Sequence, residues 1–288
     1  MKRYDYEDSE FMNRIKIMTF NILKDGLYEQ NNRQDIIFEV INKHNPDILC
    51  MQEGGDSPFW NDMAQKMQFS HFFNIEGTHA PSIYSKLSIN KQKTFYYDRA
   101  IYIQLTTSGK TLGVYCLHIN ERAMEDKIRI RELKTIMQSL PSHNDDFVCF
   151  AGDFNSRIKG EWGMPNYLEL ISKIQGCGPI TKNDFYKATE IMYKKGFVDC
   201  YRHLHKDEMY SFHPTMEMLN SRASEYKSKF LADFNLTNNS PYIPAGIRFD
   251  YIFVNTVLAD CLTSCVLDAS EKAYLASDHL PIIATFEI

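Results

Sequence analysis

Short apolar runs that stop abruptly on acids, amides or histidines constrain this chain more than any other feature. A strand buried on both faces is a near-continuous apolar run, and its core contacts pin whatever side chain comes last. Residues 15–23 read IKIMTFNIL and put Asn21 at such an end. Residues 47–53, DILCMQE, close on Gln52 and Glu53. His118 lies near the end of VYCLHIN, with Asn120 two residues on and so expected on the same strand face. FVCFAG runs into Asp153, and Asn155 follows two residues later. Asp250 sits inside RFDYIFV, alternating with Arg248, and Ser277, Asp278 and His279 precede LPIIATF.

Helical periodicity separates these runs. Ile36, Ile37, Val40 and Ile41 share one face of a helix expected over 33–45, with Pro46 just beyond it. Further helices are expected over 124–140, 166–174 and 186–195, and further strands over 84–89, 100–105, 112–119, 262–267 and 281–286. Residues 156–246 read as less regular, with a loop-rich stretch ending at Pro241 and Pro244. Strands and helices interleave without the strict alternation of a barrel, so the chain is expected to be α/β. At 288 residues it can bury a large core without metal or disulfide staples. Residues 1–13 read as a flexible polar tail and 14–288 as a single domain.

Composition removes several function classes. Thirty-two Lys and Arg against 37 Asp and Glu give a net charge of −5, which argues against a broadly basic nucleic-acid-coating protein. The seven cysteines include no CxxC, so zinc ribbons and thioredoxin-like motifs lose support. Cys50, Cys116 and Cys149 each sit in an apolar run and read as small core residues. The charged N-terminus lacks an apolar stretch of the kind a secretory signal needs, and no run reaches ~18 apolar residues. A cytoplasmic monomer without a transmembrane segment is therefore expected. GxGxxG, GxxxxGK[ST] and GxSxG are all absent. What remains at the strand ends is carboxylates, amides and imidazoles. Oxygen donors select hard cations such as Mg²⁺ or Mn²⁺. A hard cation beside histidine suits phosphate-ester cleavage.

The strings TFNIL, PDILCMQE, LHIN, GDFNSR, RFDYIFV and SDHLP, in this order, resemble the endonuclease/exonuclease/phosphatase superfamily across residues 15–288. That family includes deoxyribonucleases, abasic-site endonucleases, deadenylases, tyrosyl-DNA phosphodiesterases, inositol-phosphate phosphatases and sphingomyelinases. The resemblance implies a four-layer sandwich, two mostly antiparallel sheets flanked by helices, with the site at one end. It implies a divalent-metal-dependent phosphoesterase, first of all a nuclease or phosphodiesterase on nucleic acid. The alternative is a lipid or small-molecule phosphoesterase of sphingomyelinase or inositol-phosphatase type. Mg²⁺ is the implied cofactor, with Mn²⁺ as a substitute.

Residue by residue, the resemblance makes Glu53 a metal ligand, with Asn21 and Asp278 beside the same metal. Asp153 orients or deprotonates the attacking water, and Asn155 holds the scissile phosphate. His279 binds phosphate and transfers protons, and Asp250 orients and charges a catalytic histidine. His118 matches the second histidine of the deoxyribonuclease, sphingomyelinase and deadenylase branches. Arg99, in YYDRAIYIQL, matches an arginine near the phosphate. Trp162 is a candidate for stacking on a base or touching lipid. Arg202 reads as a loop brace, and His203 and His205 as solvated. The basic residues of the 124–140 helix, with Arg122, read as a solvated outer face. In one departure, many members carry Thr or Ser before Trp in the segment preceding RxDY, whereas residues 210–214 here read YSFHP, with Phe212 and His213 and no Trp.

Overall fold

The computed structural model describes residues 13–28, 31–54, 57–74, 79–95, 99–120, 126–161, 167–174, 186–207, 209–222, 224–233, 235–238, 240, 242–243 and 246–288. Residues 1–12, Arg122, Trp162, Pro241 and Pro244 lie outside these. In chain order the strands are β1 (Arg14–Asn21), β2 (Leu27–Tyr28), β3 (Asn31–Asn32), β4 (Ile48–Gln52), β5 (His71–Asn74), β6 (Pro81–Ser85), β7 (Ile89–Phe95), β8 (Ala100–Thr107), β9 (Lys110–His118), β10 (Phe147–Asp153), β11 (Val198–Asp199), β12 (Asp250–Val254), β13 (Leu262–Leu267) and β14 (Ile282–Glu287). Two six-stranded sheets form, ordered β13-β14-β1-β4-β6-β5 and β11-β12-β10-β9-β8-β7; β2 and β3 pair apart.

The two sheets share one pattern. β1 and β4 run parallel at the middle of the first, β9 and β10 at the middle of the second. Their outer neighbours are antiparallel. A parallel pair needs a crossover long enough for a helix. The helix Gln34–His44 connects β1 to β4, and the helices Asp126–Met137 and Leu140–His143 connect β9 to β10. Parallel pairing sets the carboxyl ends of both strands at the same edge. Antiparallel neighbours then bring their beginnings to that edge.

The period-2 alternation of strand side chains builds the layers. Ile15, Ile17, Ile48, Cys50, Val114, Cys116, Cys149, Ala151, Ile252 and Val254 face inward and pack the two sheets together. Met18, Phe20, Leu49 and Met51 face outward from the first sheet onto Ile37, Val40, Ile41, Trp60 and Met63 of its helices. Tyr115, Leu117, Phe150 and Phe253 do the same for the second sheet, against Leu133, Ile136, Ala188 and Met192. The result is helix, sheet, sheet, helix, the four layers expected.

Local readings change in places. The strand expected over 84–89 breaks at Ser85, and Ile89 opens β7 instead. The stretch expected to be loop-rich contains helices Cys200–Leu204, Met216–Arg222 and Ser224–Asp233. Leu170, Leu219, Phe230 and Leu231 give this segment a core of its own with Ile247 and Phe249. Helices this short are held by packing rather than by propensity, so their sequence signal is weak. The 124–140 helix is not solvated throughout. Arg129 is fully buried, bonding Asp126 Oδ1 at 2.9 Å and the Asn120 carbonyl at 3.3 Å. Below β12, buried Arg248 bonds Asp199 at 2.7 Å and Glu161 at 3.2 Å, and Arg202 reaches Glu161 at 2.5 Å, the brace expected of it. Breaking one partner of such a buried pair costs about 3–5 kcal/mol. Among the described residues no helix is long and apolar enough to cross a membrane.

Candidate active site

The inward-facing rows end in polar residues. Ile15, Ile17 and Thr19 lead to Asn21; Ile48 and Cys50 lead to Gln52; Val114 and Cys116 lead to His118; Cys149 and Ala151 lead to Asp153. Asp250 opens β12 directly opposite Asp153. The same alternation that fills the core therefore delivers these side chains to one gap between the sheets. Glu53 is one residue too late for its row. Its backbone turns to φ 58°, a conformation uncommon outside glycine, and carries the carboxylate back over the gap. There the Lys24 N–H bonds Glu53 Oε2 at 3.0 Å. Gly152 makes the close strand approach possible, since a Cβ there would lie 2.1 Å from the Leu117 carbonyl oxygen.

Asp153 Oδ2 is the centre of the cluster. The Asn21 amide donates to it at 3.1 Å and to Glu53 Oε1 at 3.3 Å. Asn21 Oδ1 accepts the Leu23 N–H at 3.1 Å, which orients the amide. His279 Nε2 lies 3.7 Å from Asp153 Oδ2, and His118 Nε2 lies 3.8 Å from it and 3.8 Å from Glu53 Oε1. His118 Nδ1 meets the His79 carbonyl at 2.6 Å. A carbonyl only accepts, so Nδ1 carries the proton and Nε2 faces the acids. His279 Nδ1 bonds Asp250 Oδ2 at 2.7 Å. The Ser211 hydroxyl donates to that same oxygen at 2.6 Å and accepts the Asp250 N–H at 3.0 Å. The Ser277 hydroxyl ties the turn to the Asn21 carbonyl at 2.7 Å.

Burial and charge split the titrations. Burial pushes Asp153 up to about 8; the positive His279 opposes this and the negative Asp250 adds to it. Asp278 is pushed up to about 6 by burial, with His279 opposing and Glu53 reinforcing. Burial alone would push His279 down, but Asp250 and Asp153 outweigh it and hold the imidazolium up to about 10. His213, on the far side of Asp278, has no carboxylate on it, and burial aided by His279 drives it down to about 3.

Carboxyls held so far above their ordinary range are short of positive charge, which a divalent cation supplies. The carboxylate oxygens of Glu53 and Asp153, which share the Asn21 amide, are hard donors of the kind such an ion takes, and Asp278 is close enough to Glu53 and His279 to feel their charge. Asp250 Oδ1 is buried without a hydrogen-bond partner among the described residues. The donor atoms of Asp153, Asp250 and His279 also lie within 4.8 Å of one another. The 2.7 Å Asp250–His279 bond, however, makes those two a carboxylate–imidazolium pair with no net charge. The carboxylates left over from that pair, Glu53, Asp153 and Asp278, have the oxygen chemistry that suits a hard divalent cation.

All the expected site residues except Arg99 and Asn155 take part in this cluster through side chains. Asn155 adjoins it: its N–H bonds Asp153 Oδ1 at 2.7 Å and its amide donates to the Ile119 carbonyl at 3.0 Å. Arg99 is half-buried ahead of β8, its carbonyl accepting the His118 N–H at 2.9 Å. Asn120 does not share a strand face with His118. β9 ends at His118, and the Asn120 N–H instead bonds Glu132 Oε2 at 2.8 Å. Two contributors, His79 and Ser211, escaped sequence reasoning, and Ser277 was named there without a role. His79 supplies the carbonyl for His118 and puts Nδ1 3.9 Å from Glu53 Oε2. Ser211 and Ser277 hold Asp250 and the Asp278 turn. Ser211 lies inside the YSFHP string and Ser277 opens SDHLP, which is the signal that could have pointed to them.

No curated protein sequence matches the chain. Solved structures do. An AP endonuclease from Archaeoglobus fulgidus shares 22% identity, with 95% of this chain and 100% of that one covered at a TM-score of 0.67. The 3′-5′ exonuclease NExo from Neisseria meningitidis shares 18% over 95% and 100%, TM-score 0.66. TDP2 from D. rerio, complexed with a single-strand DNA product, shares 20% over 96% and 99%, TM-score 0.61. At these identities the likeness is one of fold. A sequence model of the Endonuclease/Exonuclease/phosphatase family matches residues 18–279, a span that takes in every strand end of the cluster from Asn21 to His279, and the chain belongs to that family.

Proposed function

We propose that this protein is a divalent-cation-dependent phosphodiesterase that cleaves nucleic acid by in-line attack of water, with Mg²⁺ as the ion. The observation that carries the reading is the position of Asp153 Oδ2, with the two histidine Nε2 atoms 3.7 and 3.8 Å away and the Asn21 amide 3.1 Å away. Atoms this close together leave no room between them, but one oxygen lying beside them is within hydrogen-bond reach of more than one.

Asp153, raised into the neutral range, takes the proton of the attacking water, the role of a general base. His279 stays protonated against Asp250 and lies against a non-bridging phosphate oxygen. As the P–O bond to the leaving group breaks, His279 gives its proton to the departing oxygen. His118 Nε2 faces the same phosphate. One amide hydrogen of Asn155 is held by Ile119, which leaves the second for a phosphate oxygen. Arg99, ahead of β8 on the His118 edge, binds substrate phosphate. Glu53 and Asp278, with Asn21 beside them, would hold the cation, which when bound would supply positive charge to offset that of the phosphate oxygens. Two neighbouring titratable groups pushed apart in this way divide base from acid. The DNA-linked neighbours support the choice of nucleic acid over lipid.

The test is a panel of single- and double-stranded DNA, RNA, sphingomyelin and inositol phosphates with Mg²⁺ or Mn²⁺. Cleavage of a nucleic acid that EDTA and His279→Ala both abolish is expected. Turnover of sphingomyelin or inositol phosphates alone would move the substrate to the lipid or small-phosphoester class.

A further inference from the structure

A cavity of about 270 Å³ lies behind the Ser277–Asp278–His279 turn, lined among others by Asn32, Arg33, His213, Thr215, Tyr242 and Tyr274. Its volume falls just below the ~300–1,000 Å³ of typical small-molecule sites. Ser277 belongs to its wall, and the His213 N–H bonds the Asp278 carbonyl at 2.8 Å, so the cavity and the catalytic cluster share one turn.

His213 is 2% exposed, and neither ring nitrogen has a hydrogen-bond partner among the described residues. Each unmet buried polar atom costs about 1–3 kcal/mol. The ring is fixed all the same: its backbone is bonded on the Asp278 side, and Tyr274 meets it edge-on at 4.8 Å. Tyr274 in turn stacks on Tyr242 at 4.4 Å and 8°, and both tyrosines line the cavity. Arg33, also buried, adds a planar cation, and Asn32 and Thr215 add groups that both donate and accept. An imidazole ring nitrogen can donate or accept according to its tautomer. A planar ligand with neighbouring donors and acceptors on its edge answers this set, and a nucleobase is such a ligand.

We propose that this cavity is a nucleobase subsite, holding one unstacked base of a single-stranded substrate beside the phosphate at the His279 cluster. This rests on the nucleic-acid reading above and names where that substrate is gripped. Pairing in a duplex hides the base edge, so the subsite favours single strands.

Two measurements test it. Histidine-ring ¹⁵N NMR follows cation-free wild-type protein titrated with nucleoside 5′-monophosphates, with His213 assigned by its loss in His213→Phe or, should that variant not fold, in His213→Gln. A saturable shift of the His213 ring nitrogens is expected. Steady-state kinetics then compare a single-stranded oligonucleotide with bis(p-nitrophenyl) phosphate, which has no base. In His213→Phe the KM for the oligonucleotide is expected to rise about tenfold more than the KM for the baseless diester. A His213 signal indifferent to all the monophosphates overturns the subsite, as does an equal change for both substrates. Oligonucleotide cleavage with an indifferent His213 sinks the subsite and leaves the nuclease reading standing. A saturable shift without oligonucleotide cleavage does the reverse.

Discussion

The strands β4 and β10 each run between two acids, and the two ends treat those acids in opposite ways. Asp47 precedes β4 and Glu53 follows it; Asp146 precedes β10 and Asp153 is its last residue. At the amino ends, each aspartate caps its parallel neighbour. Asp47 Oδ2 accepts the Lys16 N–H of β1 at 2.8 Å, and Asp146 Oδ2 accepts the Thr111 N–H of β9 at 2.8 Å and its hydroxyl at 2.9 Å. The Thr111 bonds pull Asp146 below the ordinary carboxylate range. Roughly 20 Å along the same strand, Asp153 is pushed up to about 8, because it is buried with Asp250 beside it. The site acids accept backbone N–H groups too, Asp153 from Asn155 and Glu53 from Lys24, so what sets Asp153 apart is its burial with a second acid beside it. The lesson is to judge a strand-end carboxylate by what faces it, since residue type and flanking apolar run are alike at both ends.

The sharpest way to break this contrast is kinetic. His279→Ala and Asp153→Asn are each expected to lower kcat/KM on a phosphodiester by about 10²–10⁴, while Asp47→Asn and Asp146→Asn stay within about twofold of wild type on the scale of surface changes. Equal losses at both ends would erase the distinction. Next in size is the cation requirement. Glu53→Gln should raise the Mg²⁺ concentration for half-maximal rate by at least about tenfold, measured by titrating Mg²⁺ against initial rate, with Asp47→Asn as the unmoved control.

Stability gives a smaller effect with a sign that discriminates. In the cation-free protein Asp153 and Asp278 titrate near 8 and 6 instead of the ordinary carboxylate range, so their folded forms favour protons. Their contribution is fully present at low pH and is lost as pH rises through 6 and then 8. His279 adds in the same direction: its contribution is complete below the ordinary histidine range and is lost as pH rises through about 10. The stabilisation given by Mg²⁺ should therefore grow between pH 5 and 9, read as the Tm difference between Mg²⁺ and EDTA. Asp153→Asn should raise the Tm of the cation-free protein while lowering its rate. A cation-induced shift that shrinks towards pH 9 would contradict the account. Smallest is Asp47→Ala, which removes one bond to the Lys16 N–H. It is expected to cost about 1 kcal/mol, or roughly 2–4 °C in Tm, with the Mg²⁺ requirement unchanged.

Much of the site was legible because alternation is local. Thr19 to Asn21, Cys116 to His118 and Ala151 to Asp153 are two-residue steps along single strands, and the faces follow from the sequence. Other parts were not local. Glu53 enters the site through a left-handed backbone turn that its neighbours do not announce. Arg129 was expected in water, yet it is buried with its guanidinium on Asp126 and the Asn120 carbonyl, partners its own helix periodicity does not announce. Asn120 leaves the His118 face, since its N–H is taken by Glu132. Helices 216–222 and 224–233 escaped because their stability comes from Ile247 and Phe249, far along the chain.

By itself the sequence determined the chemical inventory, carboxylates, amides and imidazoles at the ends of apolar strands, and the face each one takes. Period-2 geometry fixes a face from a few neighbouring residues. Only the tertiary structure decided which ends meet. Parallel pairing of β1 with β4 and of β9 with β10 sends Asn21, Gln52, His118 and Asp153 to one edge, and leaves Asp47 and Asp146 at the other. It also decided the charges, because a carboxyl titrates near 8 or below its usual range according to what burial takes from it and what its neighbours return.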